Sequence, residues 1–308
     1  SFGLVALCSV GPVLAVLLGA VLTAIIQSSS VTVSIMVLMA NQGLLGMDMC
    51  ELCFEENDRL DLTEYTQAAM LTAIGAMLKK IEAMGIRPQA TAGLSLGEYA
   101  ALVTAGVLDL YDAIRLVRLR GQLMQEAVPQ GVGGMAAVLG LEQSAVEQVC
   151  EETEGVVAIA NYNCPGQLVI SGELGAVQAA SERLRERGAK RVVPLNVSGP
   201  FHSPLLREAG EKLSEALLKV EIHKPQIPYA ANVTAEYVTE ADPVRGLLAE
   251  QISSSVRWQQ CVERMIADGV ERFVEIGPGR TISSFVKKID RTREIINIDK
   301  AEDLQKLV

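Results

Sequence analysis

The sequence predicts an α/β protein that carries a small inserted α/β unit and an uncharged segment ahead of both. Three observations predict it. A short extended stretch runs into Gly93-Leu94-Ser95-Leu96-Gly97 and straight on into a helix. A β-α-β-β-α-β succession fills residues 131–197. Residues 1–47 contain no Asp, Glu, Lys or Arg, so all the charge lies after Met47.

The 308 residues are 49% hydrophobic and 21% charged, with a formal net charge of −10. Such a length gives one large domain or a domain with an insertion, and the apolar content fits a sizeable core rather than disorder. The acidic balance argues against a nucleic-acid-binding face, which needs clustered Lys and Arg. Six cysteines in so long a chain make no disulfide framework, and two histidines leave little for a His-based metal site. A reducing, cytoplasmic setting is the expectation.

Ser1 to Ile26 is apolar or small, Gln27-Ser28-Ser29-Ser30 follows, and Val31 to Ala40 is apolar again. An uncharged run of this length is the signature of a membrane helix, and no basic n-region of a signal peptide precedes it. A buried core helix and strand is the alternative. Thr23 to Val33, TAIIQSSSVTV, resembles the QSSS motif of sodium/phosphate cotransporter-type membrane proteins, whose sites need several such segments. The change of texture near Leu45 reads as a junction.

From Gly46 the chain reads as an ordinary acidic globular protein. Asp61 and Thr63 read as caps of a helix that Gly85 ends, and Pro88 to Ala92 as a short strand. A strand, then G-x-S-x-G around Ser95, then a helix is the nucleophile elbow. Its glycines permit the tight turn that lifts the hydroxyl clear at a helix N-terminus. The alternative is a plain glycine-rich turn. In the inserted unit, strands are read at Met135–Leu139, Val156–Ala160, Leu168–Ser171 and Arg191–Leu195, with helices at Glu142–Glu152 and Leu174–Arg187. That order is the ferredoxin-like arrangement.

The longer string GLSLGEYAALVTAG, from Gly93, resembles the malonyl-CoA:acyl-carrier-protein transacylases of fatty-acid synthesis and the related acyltransferase domains of polyketide synthases. The resemblance continues in order through Arg118-Leu119-Arg120-Gly121 with Met124, Asn161 to Gln167 (NYNCPGQ), Phe201-His202-Ser203, Val256-Arg257-Trp258 and Glu275-Ile276-Gly277-Pro278-Gly279. It spans residues 46–308. It implies an α/β-hydrolase-like core with a parallel sheet, made of 46–130 and 198–308, with the ferredoxin-like subdomain at 131–197 forming one wall of the cleft. The implied reaction moves malonyl from malonyl-CoA to the phosphopantetheine thiol of acyl carrier protein through a malonyl-serine ester.

The chemistry asks for a nucleophile, a base, oxyanion donors and a group that recognises the acyl chain. Ser95 supplies the nucleophile. Of the two histidines, His223 sits in a charged stretch and reads as a surface residue, while His202, after a Gly-Pro loop, is the better-placed base. By resemblance a backbone carbonyl near Gln251 holds the imidazole, and the N–H of Leu96 is an oxyanion donor. Arg120 reads from spacing alone as one of three helix-surface arginines with Arg115 and Arg118. The resemblance makes it the holder of the malonyl carboxylate, since a guanidinium makes two parallel hydrogen bonds and an ammonium cannot. Arg120, Gln251 and Asn163 are thus the expected substrate-binding residues. No cofactor and no metal are expected. The expected partners are acyl carrier protein and a coenzyme A thioester, with no nucleic acid, membrane contact confined to residues 1–45, and a monomeric state.

Lesser signals read blandly. Cys50 and Cys53 have metal-like spacing but no second pair. Gly277-Pro278-Gly279 reads as a tight turn, with a phosphate cradle as the alternative. The basic runs Arg183–Arg191 and Lys287–Arg293 read as solvated faces, with a carrier-protein contact as the alternative. Two departures stand out. The family's opening strand and G-Q-G-x-Q loop, source of a second oxyanion donor, are not recognisable, and Leu94 stands where the family has His. The rival functions are a polyketide-type acyltransferase, a serine hydrolase, and a catalytically impaired chimera or inert fragment of a membrane transporter.

Overall fold

The structure is a computed structural model that describes Leu52 and residues 58–308, except Gln130 and Ser198. The uncharged stretch at 1–47 and the Cys50/Cys53 pair lie outside the described residues. Among the described residues no helix is long and apolar enough to cross a membrane.

Helix α1 (Thr63–Ala83) opens the described core, and it ends at Met84 before Gly85, as the sequence predicts. Its start differs from the expectation. Asp61 lies in a 3₁₀ turn, Asp58–Asp61, and Leu62 is the N-cap. The buried face of α1, including Gln67, Leu71 and Ile74, packs on α3 (Leu110–Glu126). Helix α3 begins at Asp109, whose carboxylate accepts the Tyr111 N–H at 2.8 Å, a side-chain cap of the expected kind. Its inward residues Ala113, Ile114, Val117, Arg120, Gly121 and Met124 repeat at helical spacing, which puts Arg120 on the core face. Arg115 pairs with Asp112 at the exposed surface, and Arg118 with Glu64.

Strand β1 is short, Thr91–Ala92, and α2 (Gly97–Thr104) follows the elbow directly. β1 pairs in parallel with β6 (Tyr229–Ala230), which pairs antiparallel with β7 (Tyr237–Val238). A second parallel pair is β8 (Arg272–Ile276) with β9 (Glu294–Ile298). Among the described residues these are two separate sheets: β1-β6-β7 is mixed, and β8-β9 is parallel. Helix α6 (Arg207–Leu217) packs on α7 (Val244–Gln251) and α3, α8 (Trp258–Ala267) packs on α9 (Thr281–Ile289), and α9 packs on β8 and β9. The core proper joins Leu71, Tyr99, Leu102, Ile114, Leu213 and Leu248.

Between α3 and α6 the chain forms β2 (Gly133–Leu139), α4 (Gln143–Glu152), β3 (Val157–Cys164), β4 (Gln167–Glu173), α5 (Leu174–Glu186) and β5 (Arg191–Pro194). The strands lie in the order β3-β4-β2-β5, every pair antiparallel, over their own apolar cluster of Val146, Ile159, Ile170, Val177 and Leu184. Strands β3 and β4 run longer than the sequence pattern suggests, so NYNC ends a strand and only Pro165-Gly166 makes the turn. β3 is bulged twice against β4, at Ile159/Asn161 and Tyr162/Cys164. There its backbone turns to the core: Val256 N–H donates to the Ala160 carbonyl at 2.8 Å, and Tyr162 N–H to the Val256 carbonyl at 2.9 Å.

The Gly277-Pro278-Gly279 segment is a turn. The positive end of α9 behind it is already capped by Glu275, which accepts from the N–H groups of Ile282 and Ser283 at 3.0 Å.

Candidate active site

Ser95 sits between β1 and α2 with φ at +53°, a left-handed conformation that costs a residue bearing a Cβ roughly 1–3 kcal/mol. The sharpness of this turn rests on Gly93 rather than on both motif glycines. A Cβ at Gly93 would lie 1.9 Å from the Gly97 carbonyl oxygen, whereas one at Gly97 meets nothing within 4 Å. His202, also left-handed at φ +58°, follows the Gly199-Pro200 loop and is buried.

The pair meets: Ser95 Oγ lies 2.7 Å from His202 Nε2. His202 Nδ1 lies 2.8 Å from the backbone carbonyl of Gln251, which can only accept. Nδ1 therefore carries the ring proton and Nε2 presents its lone pair to the serine hydroxyl. A carbonyl thus takes the orienting place that a carboxylate fills elsewhere. Burial pushes the imidazole pKa down to about 3, with the Arg120 charge adding to it and the Gln251 and Ser254 backbones opposing. The ring is neutral at pH 7, as a base must be at the outset.

Arg120 is 1% exposed. Its Nη1 donates to Gln67 Oε1 at 2.7 Å, and its Nη2 to Gln251 Oε1 at 3.0 Å and Ser95 Oγ at 2.9 Å. Its Nε has no partner among the described residues. Burial draws its pKa below the ordinary value, but a guanidinium starts so far above neutrality that it stays charged. A buried cation aimed at the nucleophile, with no ionised partner bonded to it among the described residues, can receive an anion. Leu96 caps α2 at its N-terminus, and its N–H has no acceptor among the described residues, leaving a backbone donor beside Ser95.

The structure therefore brings together Ser95, His202, Arg120, Gln251 and the Leu96 N–H. It does not bring in Asn163, which is buried in β3 and makes no hydrogen bond to any of these. The buried Gln251 amide bonds Arg120, Ser95 and Glu98. His223 is exposed beside Glu221, as expected.

Three residues at the site were not foreseen. Gln67 orients the arginine. Asn232 accepts the Ser95 N–H through Oδ1 at 2.7 Å and donates through Nδ2 to the Gly93 carbonyl at 2.7 Å. Glu98 is 1% exposed, and burial pushes its pKa up to about 7 against hydrogen bonds from Gln251 and Asn232 and the charge of Arg120. The only trace of them in the sequence is a polar residue inside an apolar run. A cleft of about 290 Å³ opens beside His202, walled by Ala158 of the small unit and by Pro204, Val233, Ser254 and Arg257 of the core. Among the described residues no group of three His, Cys, Asp or Glu side chains could hold a metal ion.

The acyl transferase domain family matches residues 18–302, and the match begins inside the uncharged stretch. A malonyl CoA-acyl carrier protein transacylase of Bacillus subtilis is 46% identical over 85% of this chain and 84% of its own length. This chain belongs to the malonyl-CoA:acyl-carrier-protein transacylase family. Among solved structures, an acyl carrier protein S-malonyltransferase from Vibrio cholerae superposes with a TM-score of 0.88 at 39% identity, covering 92% of this chain and 94% of that one. A malonyl-transacylase in complex with a type II PKS acyl-carrier protein gives 0.86 at 37% identity, over 92% of this chain and 93% of that one.

Proposed function

We propose that this transacylase carries malonyl from malonyl-CoA to the phosphopantetheine thiol of an acyl carrier protein by way of an ester on Ser95. The observation that carries the reading is the buried Arg120 guanidinium within 2.9 Å of a serine oxygen that also faces a neutral imidazole. A nucleophile–base pair alone fits any acyl transfer or hydrolysis, and the arginine adds a place for a free carboxylate.

In the first half-reaction His202 Nε2 takes the Ser95 proton as Oγ attacks the thioester carbonyl. The Leu96 N–H stabilises the oxyanion, and Arg120 holds the distal carboxylate. The imidazolium then gives its proton to the departing coenzyme A sulfur. In the second half the carrier thiol passes its proton to His202 and attacks the ester, returning Ser95 to its hydroxyl form. The cleft beside His202 gives the pantetheine arm a route to the serine. No cofactor enters either half.

The same reading keeps the division into an α/β-hydrolase-like core at 46–130 and 198–308 and a ferredoxin-like subdomain at 131–197. The four-stranded antiparallel order and the separate apolar cluster support it. A family match starting at residue 18 favours counting part of the 1–45 stretch as acyltransferase rather than transporter. A monomer working in the cytoplasm completes the reading.

The test is the intact mass of the protein after incubation with malonyl-CoA. A gain of one malonyl group, absent in Ser95→Ala, is the expected result; no gain from folded wild-type protein would overturn the reading. A polyketide-type choice of acyl group is separated by competition between malonyl and methylmalonyl thioesters.

A further inference from the structure

Both backbone polar groups of the nucleophile are held by side chains of two residues, Asn232 and Gln251, that both donate to one carboxylate oxygen, Asn232 through its backbone N–H. The Ser95 N–H donates to Asn232 Oδ1 at 2.7 Å. The Ser95 carbonyl accepts from Gln251 Nε2 at 3.0 Å, besides the Glu98 backbone N–H at 3.1 Å. Gln251 Nε2 also donates to Glu98 Oε2 at 2.6 Å, and the Asn232 backbone N–H donates to the same oxygen at 3.2 Å. Three separate elements thus converge on one buried carboxyl group: α2, the segment after β6 and the end of α7. A serine at φ +53° persists only where its surroundings over-determine it.

We propose that Glu98 is a positioning residue for the acyl transfer, a role that rests on the function proposed above: it fixes Asn232 and Gln251, and through them the strained backbone of Ser95, so that Oγ is delivered to His202. Gln251 ties this clamp to the base as well, since its own carbonyl holds His202 Nδ1. Nucleophile and imidazole are therefore registered against the same residue. Removing the Glu98 carboxyl strands the Asn232 N–H and frees the Gln251 amide to turn. The hydroxyl then loses its alignment with Nε2 although every reacting group remains.

Glu98 Oε1 accepts no hydrogen bond among the described residues. A carboxamide at this position therefore keeps an accepting oxygen where Oε2 now sits and places its NH₂ where an unpartnered atom is. Glutamine is thus the conservative variant, and alanine the disruptive one. A carboxylate that merely filled space would change stability and leave turnover of the folded protein alone.

The experiment measures malonylation of Ser95 from malonyl-CoA by rapid-quench mass spectrometry on the full chain, with thermal melts alongside, for wild type, E98A, E98Q and N232A. A misplacement of about 1 Å at a reacting centre costs on the order of 100-fold. E98A and N232A are expected to slow the malonylation step by roughly 30- to 100-fold with an unchanged half-saturating malonyl-CoA concentration, and E98Q to recover to within about 3-fold of wild type. Folded E98A at wild-type speed, E98Q as slow as E98A, or a loss confined to substrate saturation would each overturn the proposal. If E98A does not fold, N232A and E98Q decide it. Should wild type take no malonyl group, the transfer reading fails. The clamp is then judged by labelling of Ser95 with a fluorophosphonate, for which the same order of rates is expected and equal rates overturn it.

Discussion

Replacing Arg120 should change which acyl group the enzyme prefers, and by an amount the geometry sets. The guanidinium is buried on α3 and held by Gln67 and Gln251, with Nη2 also on the serine oxygen. A malonyl carboxylate offers two acceptors to this fork, and a charge-assisted hydrogen bond contributes about 1.5–3 kcal/mol. Arg120→Ala removes both, about 3–6 kcal/mol together, which is roughly 10²- to 10⁴-fold in kcat/KM for malonyl-CoA. Arg120→Lys keeps a charge but not the fork and should lose about 10- to 100-fold. Acetyl-CoA has no carboxylate and leaves the wild-type cation unpaired, so Arg120→Ala should spare it or accept it better. The assay is coenzyme A release from each thioester in the presence of carrier protein, after melts establish that the variants fold. Equal losses for malonyl-CoA and acetyl-CoA would refute the argument. They would mean that Arg120 serves the Ser95 hydroxyl and not the acyl carboxylate.

Other perturbations test other parts of the construction. Gly93→Ala should destabilise by more than about 3 kcal/mol or prevent folding, because the new methyl meets backbone. Gly97→Ala should leave the melting temperature unchanged or raise it slightly, since the site is open and alanine favours the helix; equal damage from both would sink this account of the elbow. His202→Ala should slow Ser95 malonylation by roughly 10²- to 10⁴-fold in single-turnover measurements. With its pKa driven down to about 3, the His202 ring should show no NMR titration between pH 8 and 5. Glu98 has the opposite sign. Its pKa rises from 4.5 to about 7 on folding, so its contribution to stability is full below pH 4.5 and lost as pH climbs through 7. Chemical denaturation of E98Q against wild type should favour the variant progressively over that window, by up to about 3 kcal/mol, and parallel curves would contradict it. Leu102→Ala, in the core behind the elbow, should cost about 2–5 kcal/mol in the same assay.

What the sequence discloses depends on how local the physics is. The β-α-β-β-α-β order is legible because alternation and turn residues repeat over short distances. The start of α1 is less so, because the chain passes through a 3₁₀ turn, Asp58–Asp61, before the N-cap at Leu62. At the site, Ser95 is legible from its flanking glycines, and His202 from there being so few histidines. Arg120 is ambiguous from spacing alone, and only the contacts of α3 with α1 turn it inward. Gln67, Asn232 and Glu98 escape notice because their partners lie far off along the chain: Arg120 and Gln67 are 53 residues apart, Glu98 and Gln251 153. Asn163, matched by motif, lies buried in a strand and makes no hydrogen bond to the other site residues. A buried amide or carboxyl with distant partners leaves no period for a pattern to catch.

The double bulge of β3 bears on how freely this architecture can be recombined. Ala160, which the first bulge leaves without a partner in β4, and Tyr162 bond Val256, a residue far outside residues 131–197. The small unit, although it has its own core, is therefore not a cassette that can be lifted out at its two ends. A graft taken from a relative would need the backbone around Val256 to come with it, or to accept the newcomer's bulges. One that ignored this seam would leave two polar groups bare at the edge of the cleft, and the cleft's width would drift even if both pieces folded.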